Sequence, residues 1–471
     1  MEMYGRRVIT TDTTELTDGN IVDELNRAFE THNLNRGEIE YLWNYFRGKQ
    51  PILQRKKQVR PEICNKIVEN RANEIVSFKV GYLCGEPIQY VGRNGDEKVS
   101  NAIAELNEMM FSENKATQDK EVVEWQMIGG TAYRLVLPDD RREEDDAPFE
   151  MYTLDPRDTF VVYSSEVGNK PMFAVKYRVD KENNRICSVY SANWFWKIVG
   201  DKIEESRAHA LGMIPIFEYP ANNARLGAFE IVLPMLDAIN TVASNRMDGV
   251  EQFIQSFIKF VNCDIDEEQF KALKEMGAIK VKSVDGSVAD VSIVTQELNQ
   301  MQTQTLVDYL YQTVLTICGM PNRNGGSSTS DTGAAVIMRD GWSLAESRAK
   351  DSELMFKKSE HEVLKLILRI IRDSEGVSED ISNLRLKNIS LQFTRRNYEN
   401  VQSKSQVLVS MLQQNKIHPR LAFQHSGLFT DPESAYQLSK EYAEEQEEKA
   451  LEMMQTNPGT EENDDEGGTD A

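Results

Sequence analysis

The strongest constraint on this chain is a series of helix-length apolar patterns between Phe229 and Asp373, broken at Gly319–Gly333 by a loop of small residues. In the first pattern Leu236, Ile239, Ala243, Met247, Val250, Ile254, Phe257 and Val261 recur at steps of three or four, with Asp237, Arg246, Asp248, Glu251 and Gln255 between them. That spacing predicts one apolar seam on one helix. Running from Leu233 to Asn262, with Pro234 tolerated in the first turn and Gly249 as its one weak point, the helix would be about 45 Å long at ~1.5 Å per residue. Helices of that length occur in coiled coils, as spanning elements or against copies of themselves. A long core helix is the plainer alternative.

A second pattern, Glu297–Cys318, carries Leu298, Met301, Leu306, Leu310, Val314 and Ile317 beside a face of Gln, Thr and Asn. A third, Ala334–Asp373, carries Ile337, Leu344, Ala345, Ala349, Met355, Phe356, Leu364, Leu368 and Ile371. Within it, Glu360, His361 and Glu362 do not form HExxH and read as a solvated helix face. Between the first two patterns, Glu267–Met276 reads as a short helix. Ala278–Val284 and Val288–Val294 then read as a hairpin turning at Asp285-Gly286. This module is too small for a core of its own, so it must borrow burial from elsewhere, most simply from neighbouring copies. Lys280 and Lys282 alternate on its first strand and share a face.

Upstream, residues 1–35 are polar and read as disordered or as a short helix. Arg36–Arg60 holds an amphipathic helix broken at Gly48 and Pro51, and Ile63–Val76 repeats at helical spacing until Gly81–Tyr90 stops the helix and feeds a strand. Helices are expected over Val99–Ser112 and Thr117–Ile128, the latter ending at Gly129-Gly130. Strands follow at Thr131–Leu137, Phe149–Thr153, Thr159–Tyr163, Met172–Val179, Ile186–Tyr190 and Trp194–Val199. The acidic insert Asp139–Asp146 lacks the ligand order and turn glycine of a calcium loop and reads as a solvated connection.

Composition narrows the function. The 471 residues allow about three domains. No run reaches the ~18 apolar residues of a membrane span, and the first residues lack an apolar signal core. Cys64, Cys84, Cys187, Cys263 and Cys318 form no CxxC pair and are read as free thiols of a cytosolically made protein, with no metal site. Of the net charge of −22, half lies in Glu441–Ala471, where twelve acidic residues face one lysine. The last part, Asn457–Ala471, has the composition of a disordered tail. An acidic body argues against tight, counterion-releasing DNA binding. The central loop has no lysine and follows a helix, so it is no P-loop; the chain's one Gly-Lys pair, Gly48-Lys49, is followed by Gln50. With neither GxGxxG nor GxSxG present, the chain is not expected to be an enzyme or to carry a cofactor.

An ordered set of short motifs resembles the portal family of tailed bacteriophages, the head-to-tail connector. It comprises Tyr41–Ile52 with Gly48 and Pro51, then Asn65, Asn70 and Gly81–Ile88; Gly129–Tyr133; Gly212–Pro215; Gly319–Pro321; and Gly333–Ala335 before a long helix. The set spans roughly Tyr41–Phe393. Thr332 departs from the serine common before that glycine, and the part after Asn400 has no match.

The resemblance implies an α+β chain in a ring of about twelve subunits around a double-stranded DNA channel. It implies a mixed α/β wing over 1–228, stem helices over 229–262 and 297–318, a small α/β clip over 263–296 and a tunnel loop over 319–333. A long helix returns to the wing over 334–400, a helical crown spans 401–456, and an acidic tail spans 457–471. Asn322, Arg323, Asn324, Gly325, Gly326, Ser327 and Ser328 would face DNA. Lys280, Lys282, Asp285 and Gly286 would lie on the clip surface that meets an adaptor. The implied partners are further copies of the chain, the terminase large subunit as packaging ATPase, a head-completion adaptor, and the major capsid and scaffolding proteins, with no membrane. The protein would be made in the host cytoplasm and sit at the portal vertex of the virion. Another capsid-associated assembly protein is the alternative, with an enzyme of unrecognised site behind it.

Overall fold

The structure, a computed structural model, describes residues 5–58, 60–93, 97–139, 146–254, 257–261, 263–264, 268, 282–283, 290–294, 300–322, 341–395, 401–414, 416–429 and 432–456. Strand β1 (Ile9–Thr11) and helix α1 (Ile21–Phe46) begin it, where the sequence reads as disordered or a short helix. The reason is amphipathicity: Ile21, Leu25, Ala28, Phe29 and His32 lie on one face of α1 and are all buried, while Asp23, Arg27 and Glu30 are exposed and the buried Glu24 accepts from the Thr11 hydroxyl at 2.6 Å. Helix α1 continues into the expected Tyr41–Phe46 segment and stops before Gly48, whose φ is +90°.

Helix α2 (Arg71–Cys84) departs from its expected place: the stretch that repeats at helical spacing from Ile63 is non-helical up to Asn70, because the Asn65, Ile67 and Glu69 amides bond to the side chains of Asp248, Ser244 and Asn240. The helix then runs through Gly81, with strand β2 (Gln89–Gly92) after it. Helices α3 (Glu97–Ser112) and α4 (Lys115–Gly129) fall within a few residues of their expected places. Helix α4 ends in a left-handed Gly130 at φ +80°, where a Cβ would lie 1.9 Å from the carbonyl oxygen of Arg225. Only glycine fits that turn.

Eight further strands follow: β3 (Thr131–Pro138), β4 (Phe149–Leu154), β5 (Thr159–Ser164), β6 (Pro171–Val179), β7 (Arg185–Tyr190), β8 (Trp194–Val199), β9 (Lys202–Ala208) and β10 (Ile216–Pro220). They form two sheets. One runs β1-β5-β6-β7-β8-β9, with β1 parallel to β5 and the rest an antiparallel meander; the other runs β10-β3-β4. Alternation along the first sheet gathers Phe160, Phe173, Val175, Cys187, Val189, Trp196 and Ile198 under α1. The second sheet joins the main core with α2, α3, α4 and the 32-residue helix α7 (Trp342–Asp373).

Helix α5 (Leu233–Ile254) is shorter than its seam, because Phe257–Val261 is strand β11. That stretch, Phe-Ile-Lys-Phe-Val, is aromatic and β-branched, and its apolar positions satisfy both periods over so short a run. β11 pairs antiparallel with β14 (Asp290–Val294), and β12 (Cys263–Asp264) pairs with β13 (Lys282–Ser283). The strands on either side of the expected Asp285-Gly286 turn therefore pair, among the described residues, with the incoming chain. The turn itself and Glu267, Gln269–Met276 and Ala278–Val281 lie outside those residues. Helix α6 (Gln300–Cys318) returns.

Beyond α7, β15 (Ile389–Gln392) pairs with β2, and helices α8 (Val401–Leu412), α9 (Pro419–Ser426) and α10 (Pro432–Thr456) follow. They pack around Leu408, Ala422 and Phe423. The architecture is α+β, and among the described residues no helix is long and apolar enough to cross a membrane. Cys64, Cys84, Cys187 and Cys318 are free thiols.

Candidate functional site

The functional region is built on α5, α6 and the start of α7. Helix α5 turns a polar stripe toward the body: Asn240, Ser244 and Asp248 are buried and spaced by four. The backbone N–H groups of Glu69, Ile67 and Asn65 donate to them at 2.8, 2.9 and 2.7 Å. Two residues of extended chain advance about 6.6 Å and four residues of helix about 6.0 Å, so alternate amides keep step with successive turns. Asp248 also takes Arg55 at 3.0 Å and Lys57 at 3.1 Å. Burial works to raise its carboxyl, but the Asn65 amides and these cations overcome that and hold it below the usual carboxylate range.

With its polar stripe turned inward, α5 turns part of its apolar seam outward. Leu236 and Ile239 are in the core, but Met247 and Val250 are each 42% exposed. On α6, Leu306 and Tyr309 are 48% and 65% exposed and Met301 is 81% exposed. The threonines of α6 turn their hydrogen bonds inward: Thr305, Thr313 and Thr316 donate to the carbonyls of Met301, Tyr309 and Gln312 at 2.9, 2.8 and 3.0 Å. Three threonines of the expected neutral polar face are therefore satisfied within their own helix. Arg246 donates to Gln304 at 2.7 Å, linking the two helices.

Gly333, the expected end of the small-residue loop, lies outside the described residues, and the chain that resumes at Gly341 adjoins the end of α6, so that Met320-Pro321 and Gly341 form two feet. Helix α6 closes with Gly319 at φ +66° and the Met320 amide donating to the Leu315 carbonyl at 2.8 Å. Gly341, at φ +83°, lies so close that a Cβ there would sit 3.7 Å from the Met320 carbonyl oxygen and the Pro321 Cα. Asn322 is half-buried beside these feet. Arg323, Asn324, Gly325, Gly326, Ser327 and Ser328 lie outside the described residues, as do Lys280, Asp285 and Gly286. Lys282 is in β13, opposite Asp264.

Glu360 is not on a solvated face. It is fully buried, while Glu362 is exposed and His361 half-buried. Arg134 contacts Glu360 at 3.0 Å and Asp119 at 2.6 Å, and Lys115 contacts the same two carboxylates at 3.3 and 2.5 Å. The Tyr90 hydroxyl donates to Glu360 at 2.6 Å, and the Tyr219 hydroxyl donates to it as well. Burial alone would raise the Glu360 carboxyl, but Lys115 and Arg134 beside it hold it well below the usual range. Two cations and two carboxylates thus lock α7 to α4, β2, β3 and β10. Desolvation offsets much of the attraction in such a cluster, so its contribution is to register more than to stability.

Sequence reasoning missed this cluster and the α5 stripe, although one signal was there. Glu360 falls on the stripe Phe356, Val363, Leu364 and Ile367 that α7 buries.

A family model described as phage portal protein, SPP1 Gp6-like, matches residues 25–451, from α1 into α10. The chain belongs to the phage portal protein family. No curated protein matches it. The portal family is structural and not one of enzymes. Membership also gives the chain a capsid-associated, oligomeric role.

Proposed function

We propose that the chain is the subunit of a ring, of about twelve copies, through which double-stranded DNA enters and leaves a phage capsid. The observation that carries this reading is the joint one: a portal match across all three long helices, and apolar residues on α5 and α6 that a lone chain leaves in water. Burying a Leu or Met side chain contributes about 1.5–3 kcal/mol, so a neighbour covering Met247, Val250, Met301, Leu306 and Tyr309 gives a ring its driving force.

In that ring, residues 1–228 and 334–400 form the wing. α5 and α6 are the stem, the paired strands β11–β14 belong to the clip, α8–α10 form the crown, and 457–471 is the acidic tail. Asn322 and Arg323–Ser328 border the DNA as the tunnel loop. Lys280, Lys282, Asp285 and Gly286 lie on the surface that meets a head-completion adaptor, and the terminase large subunit supplies the ATP-driven motion. Major capsid and scaffolding proteins surround the ring. A lumen lined by neutral and acidic groups avoids deep phosphate-binding minima, so the polymer slides.

Electron microscopy of the purified chain tests the reading. Closed rings with a central hole are expected; a monomer, or ATP hydrolysis by the chain alone, would contradict it. Deleting Asn324–Thr329 should leave the rings intact and abolish packaging or retention of DNA.

A further inference from the structure

The feet of the loop stand beside a face that the chain leaves electrostatically open. Helix α2 presents Phe78, Lys79 and Tyr82 there, and α7 presents Trp342 and Arg348. Phe78 and Tyr82 stack at 5.6 Å, and Trp342 lies 6.2 and 6.0 Å from them. Lys79, Tyr82, Gly319 and Arg348 line a cavity of about 20 Å³. The stem of Arg348 covers Gly319 so closely that a Cβ there would lie 2.7 Å from its Cγ.

The nearby carboxylates are engaged elsewhere. Glu346 takes the Tyr82 hydroxyl at 2.9 Å and Arg395 at 2.5 Å; Glu353 takes Arg395 and, at 3.3 Å, Lys357. Burial pushes the Lys79 ammonium below its ordinary range. A Cys318 thiolate would oppose this, but burial pushes that thiol up to about 11, and Arg348 adds repulsion. Among the described residues, neither Lys79 nor Arg348 has a carboxylate partner. Two uncompensated cations beside a half-buried aromatic trio have the composition of an interface anchor.

We infer that this face binds a side-chain carboxylate from the neighbouring copy of the chain, which pins each loop foot to the next subunit. The inference rests on the ring reading above. A cavity of about 20 Å³ has room for little more than one water, so the tip of a side chain can reach it from outside and the backbone of a duplex cannot. A chain of net charge −22 brings surplus carboxylates with every copy. The aromatic rings take the apolar surroundings of that residue, and the loops of adjacent subunits become mechanically coupled.

The test is the double variant Lys79→Met/Arg348→Met in the full-length chain. Native mass spectrometry would measure the ring population at the concentration where half of the wild type is assembled. The expected result is a fall of about tenfold or more, with the wild type losing rings as salt rises and the variant showing a weaker salt response. Unchanged assembly with an unchanged salt response would overturn the inference. Intact rings that no longer package DNA would also overturn it, since the cations would then serve phosphate. If circular dichroism shows the double variant unfolded, Arg348→Gln at its exposed position carries the same test with a smaller fall. A wild type that forms no closed ring would overturn the ring reading first and this inference with it.

Discussion

The surroundings of Glu360 and the outer face of α5 and α6 are opposites. Around Glu360 every charge has its partner inside one chain: two cations, two carboxylates and two tyrosine hydroxyls close on each other with almost no exposure. On the outer face of α5 and α6, Met247, Val250, Met301, Leu306 and Tyr309 are left in water, while Asn240, Ser244 and Asp248 are satisfied on the inner side of α5. The first region is finished within one chain; on the proposed reading, the second is finished by assembly. The proposed ring would need both, a rigid body that keeps its shape and a pair of helices whose stability is deferred to neighbouring copies.

That contrast breaks most readily at the cluster. Arg134→Met leaves Asp119 and Glu360 sharing only Lys115, and removing one partner of a buried pair costs about 3–5 kcal/mol. Chemical denaturation should show that loss whether or not the chain is assembled. Next in size is Met247→Asp with Leu306→Asp. Both positions are exposed in the single chain, so its folding free energy should hold while assembly weakens by roughly a hundredfold, read by analytical ultracentrifugation. Equal damage to both readouts would erase the distinction.

An effect of similar size is set by pH. His32 is buried against Phe160, and burial pushes its pKa down to about 4. The unfolded chain therefore binds its proton first, at about 6.5. Stability is fully present above that value and falls as pH drops from there toward 4, by roughly 3 kcal/mol. His32→Gln should flatten this slope in thermal melts. The smallest expected change is Asp248→Asn, about 1 kcal/mol, because Asn65 keeps an acceptor while Arg55 and Lys57 lose their carboxylate. Hydrogen exchange at Asn65, Ile67 and Glu69 should rise with it.

Periodicity made most of the wing and all three long helices legible, because six strands and seven helical patterns repeat cleanly enough to place. It failed where two periods fit one short run, as at Phe257–Val261, and where polar residues hide an amphipathic face, as at Ile21–His32. The partners of a buried charge are another blind spot. Glu360 meets Arg134 from 226 positions away in the chain, and no local pattern encodes that meeting. The seam of α5 was visible in full, yet which half of it would be covered depends on the Asn65–Glu69 segment taking the opposite face. For the loop, Gly319 and the lack of a lysine are legible in the sequence, the expected end at Gly333 lies outside the described residues, and the structure adds that Met320-Pro321 adjoins Gly341.

The most direct test of a stem completed by its neighbours is methionine oxidation footprinting of assembled and unassembled chains, read by mass spectrometry. Met247 and Met301 are exposed in the single chain, whereas Met110 and Met151 are buried in it. The account predicts that assembly protects Met247 and Met301 severalfold and leaves Met110 and Met151 unchanged. Equal oxidation of Met247 and Met301 in both states would contradict it.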